Sequence, residues 1–199
     1  MPRPQTIKDE EILRAAREIF LEHGIRATTA QVARRAGIAE GSIFNRFKTK
    51  AELFEAAMRP DLAELPVAKL AGRVGTGDLR ETLAELGLDV IAFLRRIFPI
   101  VMMSWSNPRP SGLPAVFDEP NPLPLRALAG LTAFFGAEMR AGRLARRDPE
   151  VAARMFLGAL ANYALFQILF RIPVELPPAA YVRSVVDTLL DGLAPREDI

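Results

Sequence analysis

Apolar positions recur at helical spacing along almost the whole chain. Between residues 7 and 23, Ile12, Ala16, Ile19 and Phe20 follow the i, i+4, i+7, i+8 pattern of one buried helix face, and Gly24 supplies a stop. Residues 28–47, TTAQVARRAGIAEGSIFNRF, hold two shorter units. Val32, Ala33 and Ala36 mark the apolar side of the first, and Ile43 and Phe47, four apart, that of the second. Thr28, followed three residues later by Gln31, has the pairing of a reciprocal capping box. Gly37 is placed to take the left-handed conformation that a helix end needs. Ile38 then plugs the corner, and the small Ala33 and Ala36 permit a close crossing. The pattern predicts a helix-turn-helix with the preceding helix packed across it.

The remainder also reads as helices broken by proline and glycine. A helix begins near Lys50 and runs through Leu53, Phe54, Ala57 and Met58, with Pro60 and Pro66 ending or dividing it. GRVGTGD, Gly72 to Asp78, reads as a linker with Asp78 as the cap of the next helix. That helix runs from Leu79 toward Phe98, with Leu83, Leu86, Val90, Phe93, Leu94 and Ile97 on its apolar side; Pro99 kinks or ends it, leaving IVMMSW as a short separate helix. Asn107 to Pro124, dense in proline, is the long loop. Helices are then expected over Leu125–Leu144, Glu150–Arg171 (the longest and most apolar) and Ala179–Leu193, with Asp148 as N-cap and Pro149 at the first helical position of the second. No alternating strand pattern interrupts this order, and the fold class is all-α.

Composition narrows the chemistry. The 199 residues are half hydrophobic, enough for a packed core. There is no cysteine and one histidine, His23, which removes disulfides, thiolate zinc sites and cysteine nucleophiles and fits a reducing cytoplasm. No metal or cofactor is called for. The N-terminal MPRPQTIKDEE lacks the apolar stretch of a signal peptide. The most apolar run, Met155 to Phe170, carries Asn162 and Gln167 and falls short of the roughly 20 residues that span a bilayer, so it reads as a buried helix and no membrane partner is expected. GRVGTGD lacks the lysine-serine/threonine ending of a phosphate loop. His23 reads as a surface residue at a helix C-terminus. Net charge is +2 but uneven: residues 1–50 hold ten basic against six acidic side chains, a surplus of four, so the rest carries a deficit of two. A basic end on a slightly acidic body fits phosphate binding at that end.

Residues 24–53 carry a resemblance. ATTAQVARRAGIAEGSIF and the following FKTKAELF resemble the TetR/AcrR family of bacterial transcriptional repressors, the latter stretch being similar to that family's F-x-x-K-x-x-L ending. The chain departs from the family pattern in two ways. The segment from Gly24 to Ala33 is one residue shorter than usual, and Phe44 and Arg46 stand where tyrosine and tyrosine or histidine are common. The resemblance implies a three-helix DNA-binding head over residues 1–50 and a larger helical domain for effector binding and dimerisation over 51–199. Carried onto this sequence, it places Thr28 and Thr29, at a helix N-terminus, against a phosphate together with Arg46, Lys48 and Lys50. Base reading falls to Ser42 and Asn45, with Gly41 allowing close approach and Phe44 meeting a thymine methyl. Glu40 either accepts from a cytosine amino group or caps its own helix, the latter being favoured; Arg34 and Arg35 are either a solvated face or further contacts.

The resemblance also implies a pocket among the middle helices whose occupant weakens DNA binding. Met102, Met103 and Trp105, beside the proline loop, are its best candidates, with Phe93, Phe98, Phe134, Phe135, Tyr163 and Phe166 as further lining. Few charges punctuate these stretches, so the expected effector is a small apolar or aromatic molecule. A helix apolar all round needs partners on several sides, and the last two helices are the expected homodimer interface. Gly158 and Ala161 there allow close approach, and Leu165, Leu169, Val185, Val186, Leu189 and Leu190 supply apolar area. The chain then reads as a regulator, most simply a repressor, that binds a double-stranded DNA operator. A helical interaction protein without specific DNA binding is the alternative, and an enzyme using the apolar cavity lacks any convincing nucleophile-base pair.

Overall fold

The computed structural model describes residues 8–59, 65–105, 112–114 and 117–192. The helices among them are α1 (Asp9–His23), α2 (Thr29–Ala36), α3 (Glu40–Phe44), α4 (Lys50–Met58), α5 (Leu79–Ser104), α6 (Leu123–Arg140), α7 (Pro149–Ile168) and α8 (Pro178–Gly192), with short 3-10 turns at Gly24–Arg26 and Pro66–Gly72. No strand occurs among the described residues. Contacts divide the chain into two compact units: residues 1–60 with 100–119, and residues 61–99 with 120–199.

In the first unit α1 buries the expected face, Ile12, Ala16, Ile19 and Phe20, together with Ala15. It packs on both α2 and α4, and the rings of Phe20 and Phe54 meet edge to face at 5.0 Å. Val32, Ala33, Ile43, Leu53, Phe54, Ala57 and Met58 complete this core. Burying side chains of this size contributes about 1.5–3 kcal/mol each. That contribution, rather than intrinsic propensity, keeps a five-residue helix such as α3 formed. Because α4 packs on α1, it lies with the head helices, on the far side of the 50/51 boundary expected from sequence.

In the second unit α6 packs along α7, α7 on α8, and the Pro66–Gly72 turn on α6. Leu83, Leu86, Val90, Phe93 and Ile97 are the buried face of α5, as its spacing predicts. Pro99 does not end that helix: at 26 residues it is the longest of the described elements, ahead of the 20 residues of α7. Proline forfeits one backbone donor, but the turns on either side still close. α6 starts at Leu123, so Pro124 lies inside its first turn rather than in the preceding loop, of which residues 107–111 and 115–116 fall outside the described residues. Asp148 caps α7 as expected, accepting from the N–H groups of Glu150 at 2.8 Å and Val151 at 3.2 Å. By length and composition α7 is long and apolar enough to cross a bilayer; here it buries Ala152, Ala153, Phe156, Leu160, Tyr163 and Ala164 in the core of the unit.

The glycine-rich segment is not a loose linker. Asp78 caps α5 through the N–H groups of Arg80 and Glu81, as predicted. The carboxylate of Glu138 on α6, fully buried, accepts from the Gly75 N–H at 2.9 Å. Arg143 places its Nε 2.9 Å from the other Glu138 oxygen, as an ionic contact rather than an aligned hydrogen bond. The same guanidinium donates to the Gly77 carbonyl at 3.1 Å. Gly75 and Gly77 have φ of 72° and 60°, a region that only glycine occupies without strain.

Candidate nucleic-acid interface

The helix-turn-helix is specified by groups only a few residues apart. Thr28 accepts from the Gln31 N–H at 3.2 Å while the Gln31 side chain accepts from the Thr28 N–H at 2.8 Å, the capping box read from the sequence. Gly37 takes φ 69°, and the N–H of Ile38 closes back on the Ala33 carbonyl at 3.0 Å. Helical hydrogen bonds continue beyond the last residue of α3, from the Asn45 N–H to the Gly41 carbonyl and from the Phe47 N–H to the Ile43 carbonyl. With Ile43 wholly buried, the opposite side carries Gly41, Phe44, Asn45 and Lys48, all exposed and spaced i, i+3, i+4, i+7. Phe44 is 47% exposed, a large apolar ring facing outward beside a polar amide and a cation.

Several of the expected phosphate contacts are engaged within the head. The Thr29 hydroxyl donates to Glu40 Oε1 at 2.5 Å. Glu40 is therefore no cap of its own helix, whose N-cap Ala39 has no side-chain bond; it ties α3 back to the start of α2. Lys50 donates from Nζ to the Ile25 carbonyl at 2.7 Å and is half-buried, so it serves the turn after α1. Arg46 has Nε 2.6 Å from Asp9 Oδ1 and donates from Nη1 to the Ser42 carbonyl at 3.2 Å. Thr28, Gly41, Phe44, Asn45 and Lys48 remain exposed, and Ser42 is half-buried. Arg35 resolves into a structural role, pairing with Glu18 at 2.7 Å and Glu22 at 3.3 Å to tie α2 to α1. The hydrogen bond to Glu18 above all holds its guanidinium above the usual arginine range. Arg34 is exposed, and so is His23. The roles of Asp9 and Glu40 were not legible in the sequence, because their partners lie 37 and 11 residues away and carry no spacing signal.

Known proteins place this arrangement. Residues 12–57 match the bacterial regulatory proteins of the tetR family, and residues 81–192 match the C-terminal domain of AefR-like transcriptional repressors. The chain belongs to the TetR family. The HTH-type transcriptional repressor KstR2 of Mycolicibacterium smegmatis is 31% identical over 85 residues, which cover 36% of this chain and 42% of that protein, so the match spans less than half of that relative. Among solved structures, a TetR-family transcriptional regulator from Mesorhizobium loti superposes with a TM-score of 0.73 over 96% of this chain and 98% of its own, at 19% identity. FadR from Bacillus subtilis, solved in complex with stearoyl-CoA, gives 0.60 over 94% and 100% at 18% identity. At these identities the structural likeness is one of fold.

Met102, Met103 and Trp105 belong to the first unit, whereas Phe93, Phe98, Phe134, Phe135, Tyr163 and Phe166 belong to the second, so neither unit assembles the whole set. Trp105 is exposed and its ring lies 6.2 Å from that of Phe117. Phe134 and Phe135 are buried in an aromatic cluster with Phe156. The Tyr163 hydroxyl donates to the Leu176 carbonyl at 2.8 Å and its ring stacks on Tyr181 at 4.5 Å. Phe166 instead points outward beside Phe170.

The expected interface needs a correction. Val186, Leu189 and Leu190 are buried within the single chain, because α8 packs on α7 and sets Val182 so close to Gly87 of α5 that a Cβ there would stand 2.5 Å from its Cγ1. Gly158 and Leu169 are exposed, while Ala161, Leu165 and Val185 are half-buried. Val151, Met155, Gly158, Asn162 and Phe166 are exposed along one α7 stripe, which Leu169, the residue that caps the helix, continues.

Proposed function

We propose that this TetR-family chain is a dimeric repressor that reads operator DNA with the exposed stripe of α3 and is released by an apolar effector held in its larger helical unit. The observation that carries the reading is the face formed by Gly41, Phe44, Asn45 and Lys48, opposite the buried Ile43. An amide reads adenine or another base edge, an outward phenyl meets a thymine methyl, glycine lets the backbone approach, and the lysine meets a phosphate. Thr28, exposed at the start of α2, adds a hydroxyl at a helix N-terminus, beside the Thr28 and Gln31 N–H groups that the capping box holds. Lys48 keeps the phosphate role expected of it, whereas the Lys50 ammonium, expected to share that role, is committed to the Ile25 carbonyl. Two copies join through the exposed α7 stripe, which sets two heads for successive major grooves; sedimentation as a dimer at micromolar concentration is the expected result, and a monomer removes this part. As a DNA-dependent regulator the chain acts in the cytoplasm.

Binding to the chain's own upstream region, followed by fluorescence anisotropy at several salt concentrations, tests the reading. Asn45→Ala relaxes discrimination by about 1–3 kcal/mol at one base position, whereas Lys48→Ala weakens binding to all sequences alike and lowers the salt slope by about one. Identical behaviour of the two variants overturns the division of roles. For the effector, the stearoyl-CoA complex of B. subtilis FadR supports including acyl thioesters beside aromatic compounds in a thermal-shift and DNA-release panel. Release by a polar metabolite, with no response to apolar compounds, overturns the apolar assignment.

A further inference from the structure

The head contains a carboxylate that DNA reading by α3 leaves without a role. Asp9 stands in the first turn of α1, its side chain 65% exposed, with Oδ1 2.6 Å from Nε of Arg46. Arg46 stands two residues past α3 and one turn past Ser42, whose carbonyl accepts from its Nη1 at 3.2 Å. The start of the first helix and the reading helix itself thus fix the plane of one guanidinium. This pair is not what joins α1 to the helix-turn-helix. That is done by the buried Ile12, Ala16, Ile19 and Phe20, and an ion pair this exposed adds little to stability.

A carboxylate and a phosphate use the same charge-assisted geometry on a guanidinium. An acid already seated on Arg46 therefore occupies the donors that a DNA phosphate would take, and its charge repels that phosphate. Resting on the reading of Arg46 as a backbone contact, we infer that Asp9 is an internal competitor for the DNA phosphate, a positioning residue that weakens the grip of Arg46 on DNA of any sequence.

Asp9→Asn keeps the size of the side chain and removes its charge. The expected result is tighter binding to all sequences alike. The slope of log K against log salt steepens by about 0.9 for each head bound, so the gain is larger at 50 mM than at 200 mM salt by about threefold for one head and about twelvefold for a dimer with both heads bound. In an Arg46→Gln background the same change brings no gain. Glu10→Gln, one residue along the same helix, brings less than Asp9→Asn, and thermal melts of all variants report whether the fold is intact. Wild-type binding with an Asp9→Asn variant that is unchanged or weaker overturns this inference alone. So does an equal gain from Glu10→Gln, or a gain that survives loss of Arg46. Absence of any sequence-selective binding by the wild type overturns the DNA reading and this inference with it.

Discussion

Gly37 and Gly75 both sit in left-handed backbone, at φ 69° and 72°, yet the turns around them are held in opposite ways. Around Gly37 the hydrogen bonds that shape the turn are local: the Thr28–Gln31 box opens α2, and the Ile38 N–H closes on Ala33. Around Gly75 the determinants come from far along the chain. Glu138 accepts from its N–H across 63 residues, and Arg143 donates to Gly77 across 66. The first turn is built of exposed polar groups and is cheap to form; the second depends on a carboxylate with no solvent exposure. A glycine-rich stretch is therefore flexible or fixed according to what the rest of the fold brings to it, not according to its composition.

The sharpest way to break this comparison is to remove the distant partner. Arg143→Ala leaves Glu138 buried without its counter-charge, a change of the kind that costs 3–5 kcal/mol when both partners are buried. Arg143 is itself 27% exposed, so the expected loss is smaller, about 2–3 kcal/mol. Urea unfolding should show it as a lowered midpoint at unchanged slope. Glu138→Gln, which keeps an acceptor for the Gly75 N–H without the buried charge, should cost less than Arg143→Ala. A loss under about 0.5 kcal/mol for Arg143→Ala, typical of a surface substitution, would mean that Gly72–Asp78 holds its shape without the clamp.

The local turn should respond more weakly and change by change. Thr28→Ala removes one half of the capping box and should cost about 1 kcal/mol. Gly37→Ala meets no neighbouring atom within 4 Å, so its cost is backbone strain alone, about 1–2 kcal/mol. Gly37→Asn should recover part of that loss, since asparagine tolerates the left-handed region better than alanine. A clash-like loss well beyond this range would show that the head turn depends on packing after all.

The same division explains what was legible in the sequence. The Thr28–Gln31 box, the Asp148 and Asp78 caps and the buried faces of α1 and α5 could be read because the signal and its partner lie within one or two turns. Pro99 left a kink and an end both open, because a proline reports a lost donor but not whether the surrounding helix can bear the loss, and of the two the end and the separate IVMMSW helix do not occur. Val186, Leu189 and Leu190 misled differently: an apolar face says that burial is needed, not which partner supplies it, and the close approach of Val182 to Gly87 leaves no pattern in either segment. At the candidate site the buried Ile43 and the exposed Phe44 and Asn45 followed from helical period, whereas the hold of Asp9 on Arg46 and of Glu40 on Thr29 did not.

A third left-handed turn tests whether local rules also operate in the larger unit. Three residues past the end of α7 stands Arg171 at φ 53°, the one non-glycine residue with positive φ among the described residues, and the following Ile172 N–H bonds back to the Phe166 carbonyl of that helix at 3.1 Å. The geometry is that of a helix stop that glycine would fit, occupied by a residue whose Cβ strains it. Arg171→Gly relieves that strain but gives the unfolded chain more freedom, which opposes part of the gain. The net expectation is a stabilisation of about 0.5 kcal/mol, read as a small rise in the midpoint of thermal unfolding. A loss of stability instead would mean that the Arg171 side chain contributes more than its backbone costs, and that even the end of a helix in this unit is set by distant contacts.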